Sequence, residues 1–301
     1  MNTLHRIMFR GILLMAFLSV LPFSGSAQAP QRVLYARAEI PTPVLNTADF
    51  RSVFGGKDGH TLNRDVSGLV RAVEFIALPG TVFKIEESYR IYDALIYRVR
   101  TSEYPRQPSG LYIDSRFVSV SQDPLESRVE RLPPKKQIIE RMLSNQGARY
   151  VWGGNVAQGV PELLQFYPPS SGITAETQDM WSLKGLDCSG LLYEAANGAT
   201  PRNTSDLINY GKPVAIAGLT AKKIAAKLLP LDLITWKGHV IIVLDQTHTI
   251  ESCMGCSKNG GVTVRNLLAV LKEVMQTRKP ANRYPQNPAA GEKPFVIRRW
   301  I

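Results

Sequence analysis

Cys188 has the surroundings of a nucleophile. It lies in the run Gly185-Leu186-Asp187-Cys188-Ser189-Gly190, between a carboxylate and a hydroxyl, and Leu191, Leu192, Glu194, Ala195 and Ala196 follow before a stop at Asn197-Gly198. Helix formers closed by glycine predict a short helix with Cys188 at its first turn. The unpaired N–H groups of a helix start favour negative charge, and so favour thiolate, the form of cysteine that attacks a carbonyl. Such a nucleophile needs a base within hydrogen-bond reach and a third group to orient that base.

Beyond residue 27 the histidines are His60, His239 and His248. His60 sits in a Gly/Asp-rich stretch and reads as a solvated loop residue. His239 follows Lys237-Gly238 and opens the most apolar strand, residues 240–244, so the strand can anchor the ring at the edge of a cleft. A hairpin turning near Gln246 brings later residues back beside the start of that strand, which selects Glu251 over His248 as the partner of His239. A carboxylate there stabilises the imidazolium that pairs with thiolate.

The elements that position these groups fall in two regions. Residues 32–124 are β-rich, with alternating strands expected at 70–76, 81–85, 94–99 and 117–120, and with turn material at Pro79-Gly80 and 105–110. A small barrel is the natural closure for such strands. Residues 123–136 turn to proline and charge and read as a linker. Ile138, Ile139, Met142 and Leu143 then mark a helix ending near 145–147. Helices are also expected at 220–229 and 266–275, an antiparallel meander at 231–252, and a closing strand at 294–300. The insertion at 155–184, rich in Pro and Ser, is long for a loop, and is either ordered against the site or a lid.

The ends and the charge bound the setting. His5, Arg6 and Arg10 precede an apolar core at 11–23 and small residues at 24–29. That layout predicts a signal peptide over 1–27 and an exported chain, periplasmic or associated with the cell envelope. In an oxidising compartment Cys253 and Cys256 read as a local disulfide, which leaves Cys188 as the free thiol. The net charge of +11 suits an anionic envelope polymer or membrane surface. No compact basic run accompanies it, so no nucleic acid partner is expected, and no stretch of the mature chain approaches transmembrane length.

Asp187-Cys188-Ser189-Gly190-Leu191, preceded by Tyr150-Val151-Trp152-Gly153-Gly154 and followed by Pro230-Leu231-Asp232-Leu233-Ile234 and Gly238-His239-Val240, resembles the NlpC/P60 family of cell-wall peptidases. The resemblance covers about 137–265. It implies an α+β fold with a papain-like core, a helix-start Cys packed on an antiparallel sheet. Leu78-Pro79-Gly80-Thr81-Val82-Phe83, with Gly110-Leu111-Tyr112-Ile113, resembles bacterial SH3-like domains. The expected division is therefore a leader at 1–27, an SH3-like β-barrel domain at 28–130 and a catalytic domain at 131–301.

The family cleaves peptidoglycan stem peptides, commonly between γ-D-glutamate and the diamino acid, and the resemblance implies no metal or organic cofactor. It implies Cys188 as nucleophile, His239 as base and Glu251 as the third polar residue, at a place where the family more often has His, Asn or Gln. Tyr150, Trp152, Asp187, Ser189, Asn203 and Tyr104 are the residues expected to meet substrate. Family members with an SH3-like domain gather acidic groups around a free N-terminal amine, at positions that correspond here to Thr81 and Asn203. Neither is charged, which leaves cross-linked wall peptides open as substrates. The alternatives are an N-acetylmuramoyl-L-alanine amidase or related acyl transferase, and a non-catalytic wall-binding protein.

Overall fold

Alternation in the first region does produce strands. The computed structural model describes residues 33–105, 110–256 and 260–301; the expected leader lies outside the described residues. Seven strands pair antiparallel: Leu34–Ala38 (β1), Thr42–Leu45 (β2), Val73–Ala77 (β3), Val82–Ile91 (β4), Ala94–Arg100 (β5), Leu111–Asp114 (β6) and Val118–Ser121 (β7). Their order is β3-β2-β6-β5-β4-β1-β7. In β4, Phe83 and Ile85 are buried while Lys84 between them faces water, the period of two expected of a half-buried strand, until the register shifts between Ile85 and Glu87. The first two strands escape the sequence pattern because Pro41 and Pro43 interrupt it. Pro43 nonetheless sits in β2 opposite Ile76.

The second region is built on a six-strand path through Lys212–Val214 (β8), Leu233–Trp236 (β9), His239–Val243 (β10), His248–Cys253 (β11), Gly261–Asn266 (β12) and Pro294–Arg299 (β13). The order β8-β13-β9-β10-β11-β12 contains the expected meander. Three helices cover it: Lys135–Ser144 (α1), Cys188–Ala195 (α2) and Leu267–Thr277 (α3). Leu233, Val240, Ile242 and Ile250 pack with α2 and with Ile138 and Met142 of α1. The alternate residues Ile234, Ile241 and Val243 pack with Leu267, Val270 and Leu271 of α3. Strand β10 is therefore buried on both faces, which explains its unbroken apolar run. The helix expected at 220–229 is regular only over Ala221–Ala225.

The two regions share a core. The insertion at 155–184 carries helices Glu162–Phe166 and Ala175–Trp181. Its Val160, Leu163, Tyr167, Trp181 and Leu183 pack with Leu45, Phe50, Ile76, Ile96 and Phe117 from the first region. It is ordered against the β-rich region. The proline-rich strap at 123–136 is also tied down. Arg128 pairs with Glu103 at 2.9 Å and donates to the carbonyls of Asn197 and Gly198 just past the end of α2. A cation suits that end of a helix.

Candidate active site

The start of α2 fixes the thiol. Asp187 is the N-cap, and its Oδ1 accepts the Gly190 N–H at 2.6 Å, satisfying one of the helix's free donors. Cys188 is the first helical residue, a free thiol only 6% exposed. The segment Tyr150–Gly154 lies hard against the helix: the Asp187 N–H donates to Gly154 O at 2.9 Å. A Cβ at residue 190 would stand 1.9 Å from that same Gly154 carbonyl, so only glycine permits the approach.

The candidate base, His239, comes from the sheet. Trp236 and His239 face each other across the Lys237-Gly238 turn, where Gly238 adopts φ +103°. His239 Nε2 lies 2.7 Å from Glu251 Oε2, and Glu251 is 2% exposed. Its other oxygen accepts from Arg265 Nη1 at 3.1 Å. Glu251 thus has one oxygen on the His239 ring and one on the Arg265 cation. Nε2 being occupied, Nδ1 is the ring nitrogen left for the sulfur. Burial alone would lower the His239 pKa, but hydrogen bonds to Cys188 and Glu251, with the negative charge on each, push it up to about 10. The ring is built to carry a proton.

A buried polar hub next to the thiol was not visible in the sequence. Arg202 is 3% exposed and clasps Asp187 at 2.6 and 3.1 Å. It also donates to Ser189 Oγ at 2.9 Å and to Asn155 Oδ1 at 3.0 Å. Asn155 in turn bonds both the N–H and the carbonyl of Ile76, so the hub reaches into strand β3. In the sequence Arg202 lies within Pro201-Arg202-Asn203-Thr204, a local pattern that marks a helix start and nothing more. Nothing local marks an arginine that will be buried 15 residues away from its partner.

The expected substrate residues divide. Asp187 and Ser189 have their oxygens engaged within this hub. Tyr150 and Trp152 line a cleft of about 220 Å³ with Arg64, Leu69, Met180 and Met254. Trp152 is 38% exposed, with the Arg71 guanidinium 4.0 Å above its ring. Burial, with the charges of Asp187 and Cys188 nearby, raises the pKa of the Tyr150 phenol. Tyr104 and Asn203 line a different cavity of about 340 Å³, together with Glu103, Thr200 and Arg202. Tyr104 donates to Glu74 Oε2 at 2.9 Å; burial and that carboxylate push its pKa up to about 12. Thr81 is wholly buried, its hydroxyl without a partner among the described residues.

The remaining candidates lie apart from the dyad. His60 is exposed beside Asp58, and His248 is exposed at the turn, bonded to Asp245. Cys253 and Cys256 are disulfide-bonded, with Cα atoms 5.7 Å apart.

No family model and no curated protein matches the sequence. Among solved structures, the chain is similar to an NlpC/P60 family protein from Bacillus cereus, at 14% identity and a TM-score of 0.33, over 89% of this chain and 64% of that one. It is similar to a mutated form of the resuscitation-promoting-factor-interacting protein RipA, at 22% identity and a TM-score of 0.31, over 55% and 61%. A third is RipD of Mycobacterium tuberculosis, described as a non-catalytic NlpC/P60 domain protein adapted to peptidoglycan binding; identity is 19% and the TM-score 0.29, over 55% and 95%. The chain thus spans less than two thirds of the first two. Scores this low leave the functional reading to rest on the site's own geometry.

Proposed function

We propose that the chain is an exported cysteine endopeptidase that hydrolyses peptidoglycan stem peptides, at the bond between γ-D-glutamate and the diamino acid. The observation that carries this reading is the His239–Glu251 pair, 2.7 Å apart and bonded on to the helix-start thiol of Cys188. His239 takes the Cys188 proton, and the thiolate attacks the γ-carbonyl. The Cys188 N–H, at the positive end of α2, holds the developing oxyanion, a contribution of about 3 kcal/mol per donor in comparable sites. Collapse forms a thioester as His239 passes its proton to the leaving amine. Water, activated by the same ring, then releases the acyl group. Tyr150 and Trp152 line the cleft assigned to the stem peptide, and the SH3-like region at 28–130 and the chain's basic charge hold the enzyme to the anionic wall.

Incubation with purified disaccharide-peptides, followed by mass spectrometry, tests the reading. The expected product is disaccharide-L-Ala-D-Glu, absent with Cys188→Ala. Sugar freed of its peptide would mean an amidase. Binding to sacculi without any product would leave a wall-binding protein.

A further inference from the structure

Behind the base, Glu251 also belongs to a second cluster of ligand groups, whose two cysteines have no part in the mechanism above. One oxygen of Glu251 and the sulfurs of Cys253 and Cys256 all lie within 4.8 Å of one another. Cys253, opposite Gly261, forms the last pair of the β11–β12 ladder, so the two cysteines close its open end. We propose that, when this disulfide is reduced, Cys253, Cys256 and Glu251 form a site for one thiophilic divalent cation of the zinc type.

The chemistry of the donors supports this. Two cysteines separated by two residues are the usual half of a zinc site, and a buried carboxylate completes three protein ligands, with the fourth position left to water. Zinc–sulfur bonds of about 2.3 Å and zinc–oxygen bonds of about 2.1 Å, at tetrahedral angles, put neighbouring ligand atoms roughly 3.5–4 Å apart. The Glu251 oxygen already lies within 4.8 Å of both sulfurs, and the sulfurs, bonded to each other in the oxidised form, part to that spacing once reduced, their Cα atoms 5.7 Å apart. Two thiolates also select against magnesium and calcium, which take oxygen ligands.

The site is gated by redox state. An external dithiol supplies two electrons and two protons: the Cys253–Cys256 bond breaks to two thiols, and the dithiol becomes a disulfide. Metal binding then displaces the two thiol protons. Glu251 cannot serve the metal without loss elsewhere, because its oxygens bond His239 and Arg265. The loaded form therefore draws negative charge away from His239. That consequence for activity rests on the peptidase reading; the site itself does not.

The test uses the full chain with Cys188→Ala, which removes the competing thiol and all peptidase activity. The protein is reduced with a phosphine, freed of it, and titrated anaerobically with Co²⁺. A thiolate-to-cobalt charge-transfer band should saturate at one metal per chain, be absent without reduction and vanish in Cys253→Ser or Cys256→Ser. Glu251→Gln should weaken binding by about tenfold or more. No band, saturation at one metal per two chains, or unchanged affinity in a folded Glu251→Gln protein would overturn the proposal. Should that variant not fold, X-ray absorption of the zinc-loaded Cys188→Ala chain decides: two sulfur neighbours are expected, and four would overturn it.

Discussion

Arg202 and Asp187 form a buried bidentate pair immediately beside Cys188, with Nη2–Oδ2 at 2.6 Å and Nη1–Oδ1 at 3.1 Å. The same carboxylate caps α2, so the arginine fixes the helix start and with it the direction of the thiol. Removing one partner of a buried pair strands the other charge, at a cost of roughly 3–5 kcal/mol. Arg202→Met should lower the unfolding free energy by about that amount in urea titration. An unchanged midpoint would mean that Asp187 holds its place without the arginine.

Glu251 should govern the pH response of His239. The folded-state pKa of this ring is raised to about 10 from 6.5. The protonated ring therefore contributes stability that is complete below about pH 6.5 and lost as pH rises through 10. Glu251→Gln removes one source of that shift. Its pH-dependent loss of thermal stability should be smaller and end at lower pH than in the parent, and the alkaline limb of its kcat/KM profile should move down. Parallel profiles would separate Glu251 from the base.

Gly190 presents two opposed effects. Alanine in a helix interior gains up to about 1 kcal/mol over glycine from propensity. Here the new methyl would lie 1.9 Å from the Gly154 carbonyl, and overpacking typically costs 1–3 kcal/mol. The steric effect should win, and Gly190→Ala should lower the melting temperature. A higher one would show that the Tyr150–Gly154 segment yields.

Local signals explain which parts of the site could be read ahead of the structure. Cys188 lies in a run of residues that states a helix start by itself, with Asp187 before it and Gly198 after. The spacing of a short hairpin sufficed to pair His239 with Glu251, twelve residues apart. The hub around Arg202 depends instead on contacts such as Asn155 with Ile76, 79 residues apart, and no periodicity encodes those. The insertion hid its core residues for a related reason. Val160, Leu163, Tyr167 and Trp181 are scattered through polar sequence, and their common face exists only against Phe50 and Phe117.

The thiols should be distinguishable in solution. Iodoacetamide should label Cys188, and neither Cys253 nor Cys256, in the folded, unreduced protein. The denatured, unreduced chain should show one thiol, because Cys253 and Cys256 are bonded. Three thiols, or labelling of Cys188 only after unfolding, would contradict this arrangement.

The central claim is that Cys188 carries the acyl group. Acid-quenched mixtures of enzyme and disaccharide-peptide, analysed by intact-protein mass spectrometry and peptide mapping, test it most directly. The account predicts a transient adduct with the mass of the γ-D-glutamyl fragment, mapped to Cys188 and discharged by hydroxylamine. Product formed with no adduct under single-turnover conditions, or an adduct on another residue, would contradict it.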